Sequence, residues 1–399
     1  MNQGSRAPGR CVLLAEEVWG SALHAMRSIA RYGGETAVVT SGSGASIFRR
    51  SRWCDHAVDI SAQHPAEFND RVRGWAESHL PGDDPIAVIP LSDRHLEWLV
   101  EARDAFPDRF RLSIPEVGVA RRLLDKDRQF QLAERSGCAP PRWVTVRQES
   151  DLERLGSLSA PVAVRPTGWN AAGDEYFKLI VVDDDSALES TVASRLRAGA
   201  ELIVQEFVDE PASAVEFAIV WRSRTSPRAE ICTGRKLAQS GRRGGVMALG
   251  EAVDLPDVAA AARRFVDASG FVGLGGLEVI RSGGSLRFIE FNPRLEAIHF
   301  LATRAGVDTV VLEYLELLGR PIPSCAPQTA ATAWVGSAWI QRLVEDRSAW
   351  SDAIRSRAQF ARSPGRVRAV WSVDDPLPGL AVAGRIINRA VRPSRGGGT

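Results

Sequence analysis

The segments GLEVI (residues 276–280) and LRFIEFNPR (residues 286–294) decide how this 399-residue sequence folds. Apolar and polar residues alternate in both segments, which is the period of a half-buried β-strand. The turn RSGG (residues 281–284) between them contains two glycines, as a tight hairpin requires. The sequence therefore predicts two adjacent antiparallel strands.

Three side chains with oxygen ligands are expected on one face of this hairpin. Glu290 and Asn292 are two residues apart and so point to the same side, and strand pairing can set Glu278 beside them. Two carboxylates this close repel each other unless a cation lies between them, and hard oxygen donors suit magnesium. The pattern predicts a metal–nucleotide site, and a surface hairpin with solvated glutamates stays open as the alternative.

Arg294 follows the second strand directly, after a proline that fixes the backbone. A guanidinium beside magnesium is suited to bind a transferring phosphoryl group or a carboxylate. A structural salt bridge is the alternative interpretation of this arginine.

The basic residues are almost all arginines. Lysine is found at only three positions, Lys126, Lys178 and Lys236, all in the middle of the chain. Lysine is a compact point charge and arginine a planar fork, so a chain that otherwise uses arginine is expected to keep lysine where the point charge matters. A solvated surface amine is the alternative for each lysine taken singly.

The composition excludes several classes of protein. Fifty basic residues are matched by 49 acidic ones without a concentrated basic stretch, so nucleic acid is not an indicated partner. Five scattered cysteines form no Cys-x-x-Cys pair, and the absence of any Gly-Lys dipeptide excludes a P-loop. The only apolar run near the start is too short for a signal peptide or a transmembrane segment, so we expect a cytoplasmic protein.

Three units are predicted along the chain. Residues 1–120 alternate short apolar runs with helical stretches, which indicates a small parallel sheet, and loops after its strands, such as residues 91–93, are candidates for substrate contacts. A helix cap by Ser92 or Asp93 is an equal alternative there. Residues 121–320 read as a strand-rich α+β domain, and residues 321–399 as a linker and C-terminal extension.

The order of these features resembles the ATP-grasp superfamily over about residues 120–320. Asp125-Lys126 opens a helix that ends in SGCAPP (residues 136–141), similar to the family's Asp-Lys helix and the turn after it. The strand VAVRP (residues 162–166) resembles the family's strand ending in Lys-Pro, with Arg165 in place of lysine. The strand LIVQEFV (residues 202–208) is similar to the hinge that pairs with adenine, and EFNPR (residues 290–294) to the metal-binding strand.

The resemblance implies an α/β N-terminal parallel-sheet domain, then an α+β ATP-grasp domain with a short C-terminal extension. It implies ATP and Mg²⁺, with Mn²⁺ as a substitute, in a carboxylate-amine ligase that makes an amide through an acyl phosphate. The implied partners are a small-molecule carboxylate and amine, and a homo-oligomer is compatible with the sequence. The implied nucleotide-binding residues are Lys126, Arg165, Lys178, Gln205, Glu206, Phe207, Val208 and Lys236. The implied metal ligands are Glu278, Glu290 and Asn292, and the implied catalytic residues are Arg294 and Arg165.

Several points stay open within the resemblance. Arg165 keeps the charge of the usual lysine but not its geometry, and the loop TGWNAAG (residues 167–173) has fewer glycines than a phosphate-covering loop normally has. A nucleotide-binding regulatory or scaffold protein that has lost ligase activity is therefore the alternative, followed by an enzyme that uses bicarbonate. Either Glu210 or Glu216 is expected to meet the ribose.

Overall fold

The computed structural model describes residues 9–16, 19–173, 177–345 and 350–391. Its first unit is a five-stranded parallel sheet flanked by helices, with the strand order β3-β2-β1-β4-β5. Its elements are β1 (Arg10–Ala15), α1 (Trp19–Arg31), β2 (Glu35–Thr40), α2 (Ala45–Phe48), β3 (His56–Asp59), α3 (Pro65–His79), β4 (Ile86–Pro90), α4 (Asp93–Glu101), β5 (Phe110–Leu112) and α5 (Val117–Leu124).

Strands β1 and β4 lie in the middle of this sheet and are buried almost throughout. Both are short continuous apolar runs, as expected for parallel strands that are covered on both faces. Helix α4 begins three residues after β4 ends, and Ser92 caps it by accepting a hydrogen bond from the amide of His95. The start of α4 therefore lies at the carboxyl edge of the sheet, where open α/β folds usually bind their ligands.

The second unit is a four-stranded antiparallel sheet with the strand order β6-β9-β7-β8. We call it the small sheet. Its elements are α6 (Lys126–Arg135), β6 (Trp143–Val146), β7 (Val162–Pro166), β8 (Ile180–Val182), α7 (Asp185–Arg197) and β9 (Leu202–Glu206). Apolar side chains from its strands and from α7 form one core cluster on the side away from α6.

The third unit is a seven-stranded sheet with the order β14-β13-β10-β11-β12-β15-β16, which we call the large sheet. Its strands are β10 (Val215–Arg222), β11 (Ala229–Gln239), β12 (Met247–Ala252), β13 (Gly273–Ser282), β14 (Ser285–Asn292), β15 (Ala331–Trp334) and β16 (Arg366–Arg368). Its helices are α8 (Pro256–Ser269), α9 (His299–Arg304), α10 (Thr309–Leu317), α11 (Gly336–Glu345), α12 (Trp350–Arg362) and α13 (Pro376–Val391). Short 3₁₀ helices cover Arg103–Ala105, Glu149–Ser157 and Ala212–Ala214.

Strands β13 and β14 form the hairpin that the alternating sequence predicts. Glu278 lies directly opposite Glu290, and Gly276 lies opposite Asn292. The next pair joins Val279 to Phe288, so the strand β14 carries one extra residue at this point. Such a bulge increases the local twist and re-aims neighbouring side chains. The prediction that the two glutamates lie side by side is confirmed.

The C-terminal segment packs back on the first unit through a buried ion pair. Asp375 is almost fully buried and accepts hydrogen bonds from Nε of Arg27 (2.9 Å), Oγ of Ser51 (2.6 Å) and the amide of Arg52 (3.1 Å). Both carboxylate oxygens are therefore used, and α13 is tied to α1 at its start. Among the described helices, none is both long enough and apolar enough to cross a membrane.

Candidate active site

The candidate active site lies where the small sheet meets β14, the edge strand of the large sheet. Arg165, at the end of β7, is only 8% exposed and donates to the carboxylate of Glu290 and to the carbonyl of Ile289. A guanidinium this deeply buried is expected to need a carboxylate partner. The pair therefore joins the two sheets across the cleft between them.

The second carboxylate of the hairpin has its own cation. Nζ of Lys236, on β11, donates to Oε2 of Glu278 at 2.8 Å, and the lysine side chain is buried. Carboxylates directly opposite each other on paired strands destabilise the pair unless counter-charges lie nearby. Here Lys236 and Arg165 supply one counter-charge to each carboxylate. The two glutamates are thus held together by basic side chains that the sequence had singled out.

Lys126 and Lys178 are two further basic residues whose charges act on Glu290. Lys126 is the first residue of α6, and its amide donates to the carbonyl of Thr167 at 2.8 Å, which fixes the helix start beside the end of β7. Burial, and then the charge of Arg165, lowers the pKa of Lys126. Lys178 is exposed and lies two residues before β8, which begins at Ile180.

These cations control the ionisation of Glu290. Burial acts to raise its pKa, but the charges of Arg165, Lys178 and Lys126 outweigh burial and hold the pKa of Glu290 well below its usual range. The carboxylate is therefore ionised at neutral pH, as a metal ligand must be.

Asn292 and Arg294 extend the cluster toward the first unit. Nδ2 of Asn292 donates to Glu290 (3.3 Å), and Nη2 of Arg294 donates to Oδ1 of Asn292 (3.4 Å). Nε of Arg294 donates to Oδ1 of Asp93, the first residue of α4, at 2.6 Å. The structure therefore brings the predicted residues of β14 together with one carboxylate from the parallel-sheet unit.

The three predicted ligands form a donor set of two carboxylates and one amide. Among the described residues, no group of three or more His, Cys, Asp or Glu side chains is arranged to hold a metal ion. A divalent cation that keeps several water or phosphate ligands needs only one or two protein carboxylates, as magnesium commonly does. The donor chemistry at Glu278 and Glu290 fits such an ion.

Glu296 also belongs to this cluster, although no pattern in the sequence had pointed to it. This side chain is 8% exposed, its Oε2 accepts from Nδ2 of Asn292 at 3.0 Å, and no partner for its Oε1 is found among the described residues. Burial, and then the charge of Glu278, raises the pKa of Glu296 to about 8. A side chain on Gly276 would collide with this carboxylate, so the glycine provides the space for it.

No family model matches the chain, but individual proteins are similar to it. A probable α-L-glutamate ligase from Pseudoalteromonas atlantica is 26% identical over 272 residues, which are 66% of this chain and 84% of that protein. The L-amino acid ligase of Bacillus licheniformis superposes with a TM-score of 0.60 at 15% identity, over 82% of this chain and 80% of the ligase.

A second solved structure has the same architecture. It is the biotin carboxylase domain dimer of the 2-oxoglutarate carboxylase of Hydrogenobacter thermophilus, in complex with MgADP, ADP and bicarbonate. It superposes with a TM-score of 0.64 at 13% identity, over 82% of this chain and 74% of that chain. The chain has the ATP-grasp fold.

In the ATP-grasp fold of this chain, the predicted hinge follows β9. The amide of Glu206 donates to the carbonyl of Arg142 and that of Phe207 to the carbonyl of Pro161, so both are used within the protein. The side chain of Glu206 pairs with the guanidinium of Arg142. Within the described residues, no partner is found for the amide of Val208. Of the hinge amides, that of Val208 is therefore the one able to bind a ligand.

Gln205 points into the same cleft. It lies opposite Ala163 on β7 and two residues from Ile203, which pairs with Arg165, so all of these side chains share the face that looks toward the large sheet. Gln205 is buried, and its Oε1 has no hydrogen-bond partner among the described residues. An unsatisfied buried oxygen is costly unless a ligand or water satisfies it.

A loop from the large sheet closes the hinge end of the cleft. The guanidinium of Arg243, between β11 and β12, lies 5.2 Å from the centroid of the Phe207 ring, within cation–π range. The same guanidinium pairs with Asp183 after β8 and approaches Asp209 to 3.6 Å. Phe207 therefore contributes its ring to this end of the cleft rather than its amide.

The two acidic residues left open for the ribose have different surroundings. Glu216 pairs in register with Val279, so it points away from the face that carries Glu278, and it forms an ion pair with Arg281 at 2.6 Å. Glu210 is exposed after the hinge and accepts a hydrogen bond from Ser282 at 2.9 Å. Glu216 is therefore not on the face of the proposed metal ligands, and Glu210 stays the candidate for the ribose.

Proposed function

We propose that this protein is an ATP- and magnesium-dependent ligase that joins a carboxylate to an amine through an acyl phosphate. The observation that carries the proposal is the opposed pair Glu278 and Glu290, each with its own buried cation, Lys236 and Arg165. The two basic side chains can pair with phosphate oxygens instead of the carboxylates. The carboxylates would then be available to bind a metal ion. Substrate and product of the first step are then held by the same residues.

The metal would be held by Glu278, Glu290 and Asn292, with manganese as a substitute for magnesium. Asn292 presents its nitrogen to both Glu290 and Glu296, so its amide would have to rotate for Oδ1 to reach the ion. The ion would neutralise charge on the phosphates and orient the terminal phosphoryl group.

The nucleotide would lie between the small and large sheets. The amide of Val208 and the side chain of Gln205 are the groups with free hydrogen-bonding capacity at the hinge, and Glu210 would meet the ribose. Glu206, which pairs with Arg142, and Phe207, which stacks under Arg243, would shape this end of the pocket. The phosphates would lie on the basic residues of the cleft: Lys126, Arg165, Lys178 and Lys236.

The proposed chemistry has two displacement steps. A substrate carboxylate oxygen forms a bond to the γ-phosphorus while the bond from that phosphorus to the β,γ-bridging oxygen breaks, and ADP leaves. The amine nitrogen then attacks the acyl carbon, phosphate leaves with its oxygen, and the nitrogen loses a proton. Positioning and charge neutralisation supply most of the acceleration in such reactions, so Arg165 and Arg294 are the proposed catalytic residues.

The similar proteins support an amino acid or peptide as the substrate class. One is named a probable α-L-glutamate ligase and another is an L-amino acid ligase. The alternative of a regulatory protein without activity gains nothing from the structure, because the charged side chains of the cleft are assembled around one point. The bicarbonate-using alternative is represented among the similar folds, at 13% identity, which supports the fold alone.

The test is a hydroxamate assay with purified protein, ATP, magnesium and a panel of amino acids and bicarbonate. Hydroxylamine intercepts an acyl phosphate as a hydroxamate, which identifies the carboxylate donor. We expect a hydroxamate and matching ADP release with at least one amino acid. MgATP binding without turnover across the panel would favour the regulatory alternative. ATP binding with magnesium dependence unchanged in the Glu278→Gln, Glu290→Gln double variant would contradict the metal assignment.

A further inference from the structure

Asp93 belongs to the parallel-sheet unit, yet its side chain reaches the ATP-grasp cleft. It is the first residue of α4, and the helix is capped by Ser92, whose Oγ accepts from the amide of His95 at 3.2 Å. The capping alternative for Asp93 is thereby removed. The carboxylate is free to serve another purpose at the carboxyl edge of the parallel sheet.

One oxygen of Asp93 is used and the other is available. Oδ1 accepts from Nε of Arg294 at 2.6 Å, whereas no partner for Oδ2 is found among the described residues. The side chain is 34% exposed, so the second oxygen can meet a ligand. Burial acts to raise the pKa of Asp93, but the charge and hydrogen bond of Arg294 outweigh it and lower the pKa, so the group is an anion at neutral pH.

The loop that follows β7 packs on the same helix. Nδ2 of Asn170 donates to Oε1 of Glu97 at 2.7 Å, and the guanidinium of Arg94 lies 5.3 Å from the centroid of the Trp169 ring. Glu97 is one helical turn after Asp93 and so lies on the same face of α4. The start of α4, this loop and Arg294 therefore meet at one place, beside the basic residues proposed to hold the phosphates.

The ion pair between Asp93 and Arg294 determines which substrates can bind favourably at the start of α4. An arginine alone attracts any carboxylate, but an aspartate at 2.6 Å cancels most of its charge and repels a simple anion. A molecule that carries both a carboxylate and an ammonium group gives each partner of the pair an opposite charge. The Asp93–Arg294 pair is thus complementary to a zwitterion.

We infer that Asp93 binds the ammonium group of the substrate whose carboxylate lies on Arg294, so that the acyl donor is an amino acid with a free amino group. This inference rests on the proposed ligase function. Because the amino group is held by a carboxylate, it stays protonated while the neighbouring carboxylate is activated. The donor is thereby prevented from acting as the amine in the second step.

The inference is tested with matched donors in the hydroxamate assay. The best amino acid of the panel is compared with its N-acetyl derivative and its 2-hydroxy analogue. A charged hydrogen bond is worth a factor of about 10 to 100, so we expect wild-type kcat/KM for the amino acid to exceed that for both analogues by about this much. Asp93→Asn should remove most of the difference, chiefly through the KM of the amino acid, and Asp93→Glu should retain part of it.

Ser92→Ala is the matched control, because it removes the helix cap and leaves the charge of residue 93 unchanged. The affinity for MgADP, measured by calorimetry, should be the same in all four proteins. Equal use of the three donors by the wild-type protein, or an equal loss for all three in Asp93→Asn, would overturn the inference and leave the ligase function standing. Absence of both MgADP binding and hydroxamate would overturn the ligase function and this inference with it.

Discussion

Two buried glutamates of this protein use their oxygens in opposite ways. Glu313, on α10, is fully buried, and its carboxylate accepts hydrogen bonds from Ser113 (2.5 Å), from Nε1 of Trp221 (3.0 Å) and from both terminal nitrogens of Arg224 (2.8 and 2.7 Å). Glu296 is nearly as buried, yet it has one hydrogen bond from Asn292, and one oxygen has no partner among the described residues.

The difference separates a structural charge from a functional one. The partners of Glu313 come from the first unit, from β10 and from the loop after it, so this carboxylate joins parts of the fold and has little capacity left. The carboxylates of the cleft keep capacity for a ligand, and Glu296 is shifted toward its neutral form by burial and by Glu278, which raise its pKa to about 8. Burial by itself therefore does not distinguish these two carboxylates, whereas unused hydrogen-bonding capacity does.

The largest expected effect is a loss of ligase activity when a carboxylate of the cleft is changed. Glu290→Gln removes a proposed metal ligand while it keeps the shape of the side chain. Loss of a group that stabilises developing phosphate charge should lower the rate of hydroxamate formation by about 10³-fold. Glu67→Gln, which removes an exposed helical ion pair with Arg71, serves as the control and should form the hydroxamate at the wild-type rate. A loss below tenfold in Glu290→Gln would contradict the assignment.

On the structural side, Glu313→Ala should affect stability rather than catalysis. The change leaves the Arg224 guanidinium without one of its two carboxylate partners and Trp221 without an acceptor. Breaking a buried ion pair costs about 3–5 kcal/mol, so the free energy of unfolding in urea should fall by that amount. Glu67→Ala should cost less than about 1 kcal/mol. If turnover per folded molecule fell more than a few-fold in Glu313→Ala, the division between the two glutamates would be wrong.

A smaller effect is expected when Glu296 is changed, because it would act on the proposed metal ion only through Asn292. Groups that orient a metal ligand are typically worth 10- to 100-fold in metal affinity. Glu296→Ala should therefore raise the magnesium concentration for half-maximal nucleotide binding by about tenfold. Glu296→Gln retains an acceptor for Asn292 and should change this magnesium concentration only a few-fold.

Gly276→Ala should reproduce the Glu296→Ala phenotype, because the added methyl group would displace the carboxylate. The double variant should then be no worse than either single variant, since both changes remove the same contact. Gly74→Ala is the matched control: it lies in α3 with open space around it. Additive losses in the double variant would show that Glu296 and Gly276 act separately.

The smallest effect concerns buried groups that are neutral rather than charged. His95 and His299 are fully buried, and burial, with the charges of Arg94 and Arg294 respectively, lowers the pKa of each imidazole to about 3. The unfolded chain binds these protons near pH 6.5, so stability is present above that pH and is lost as the pH falls toward 3. Each histidine should contribute up to about 1.4 kcal/mol per pH unit in this window.

Urea unfolding at pH 7, 6 and 5 measures this loss. His299→Gln should reduce the dependence of the unfolding free energy on pH by the contribution of about one proton. Glutamine can still hydrogen-bond to Thr309 but does not titrate in this range. An identical slope in the variant and the wild-type protein would mean that His299 is already protonated in the fold.

Much of the fold and part of the candidate site could be predicted from local pattern. The alternation around Glu278 and Glu290 predicted both strands and their pairing, because the side-chain period of a strand is fixed by backbone geometry. Lys126 and Lys236 were singled out as rare lysines, and both lie at the cleft. Arg165 was implied by the resemblance to the ATP-grasp strand that ends in Lys-Pro, and it pairs with Glu290.

Other features could not be predicted, because they depend on contacts between distant segments. Glu296 is one of 49 acidic residues, and only the packing of its side chain over Gly276 distinguishes it. The bond between Asp93 and Arg294 joins residues that are 201 positions apart. Glu216 and Glu210 are indistinguishable in the sequence, and only the register of β10 with β13 shows that Glu216 points away from the face that carries Glu278.

By itself, the sequence determined the elements, the hairpin with its paired carboxylates, and the chemistry that such a pair favours. These follow from backbone periodicity and from charge repulsion between near neighbours, which act over a few residues. Only the tertiary structure decided which cation faces which carboxylate, which buried oxygens are left without a partner, and that Asp93 completes the cleft from another unit. Those outcomes depend on how three sheets pack, because burial sets the electrostatic cost of each charge and packing supplies or withholds its partner.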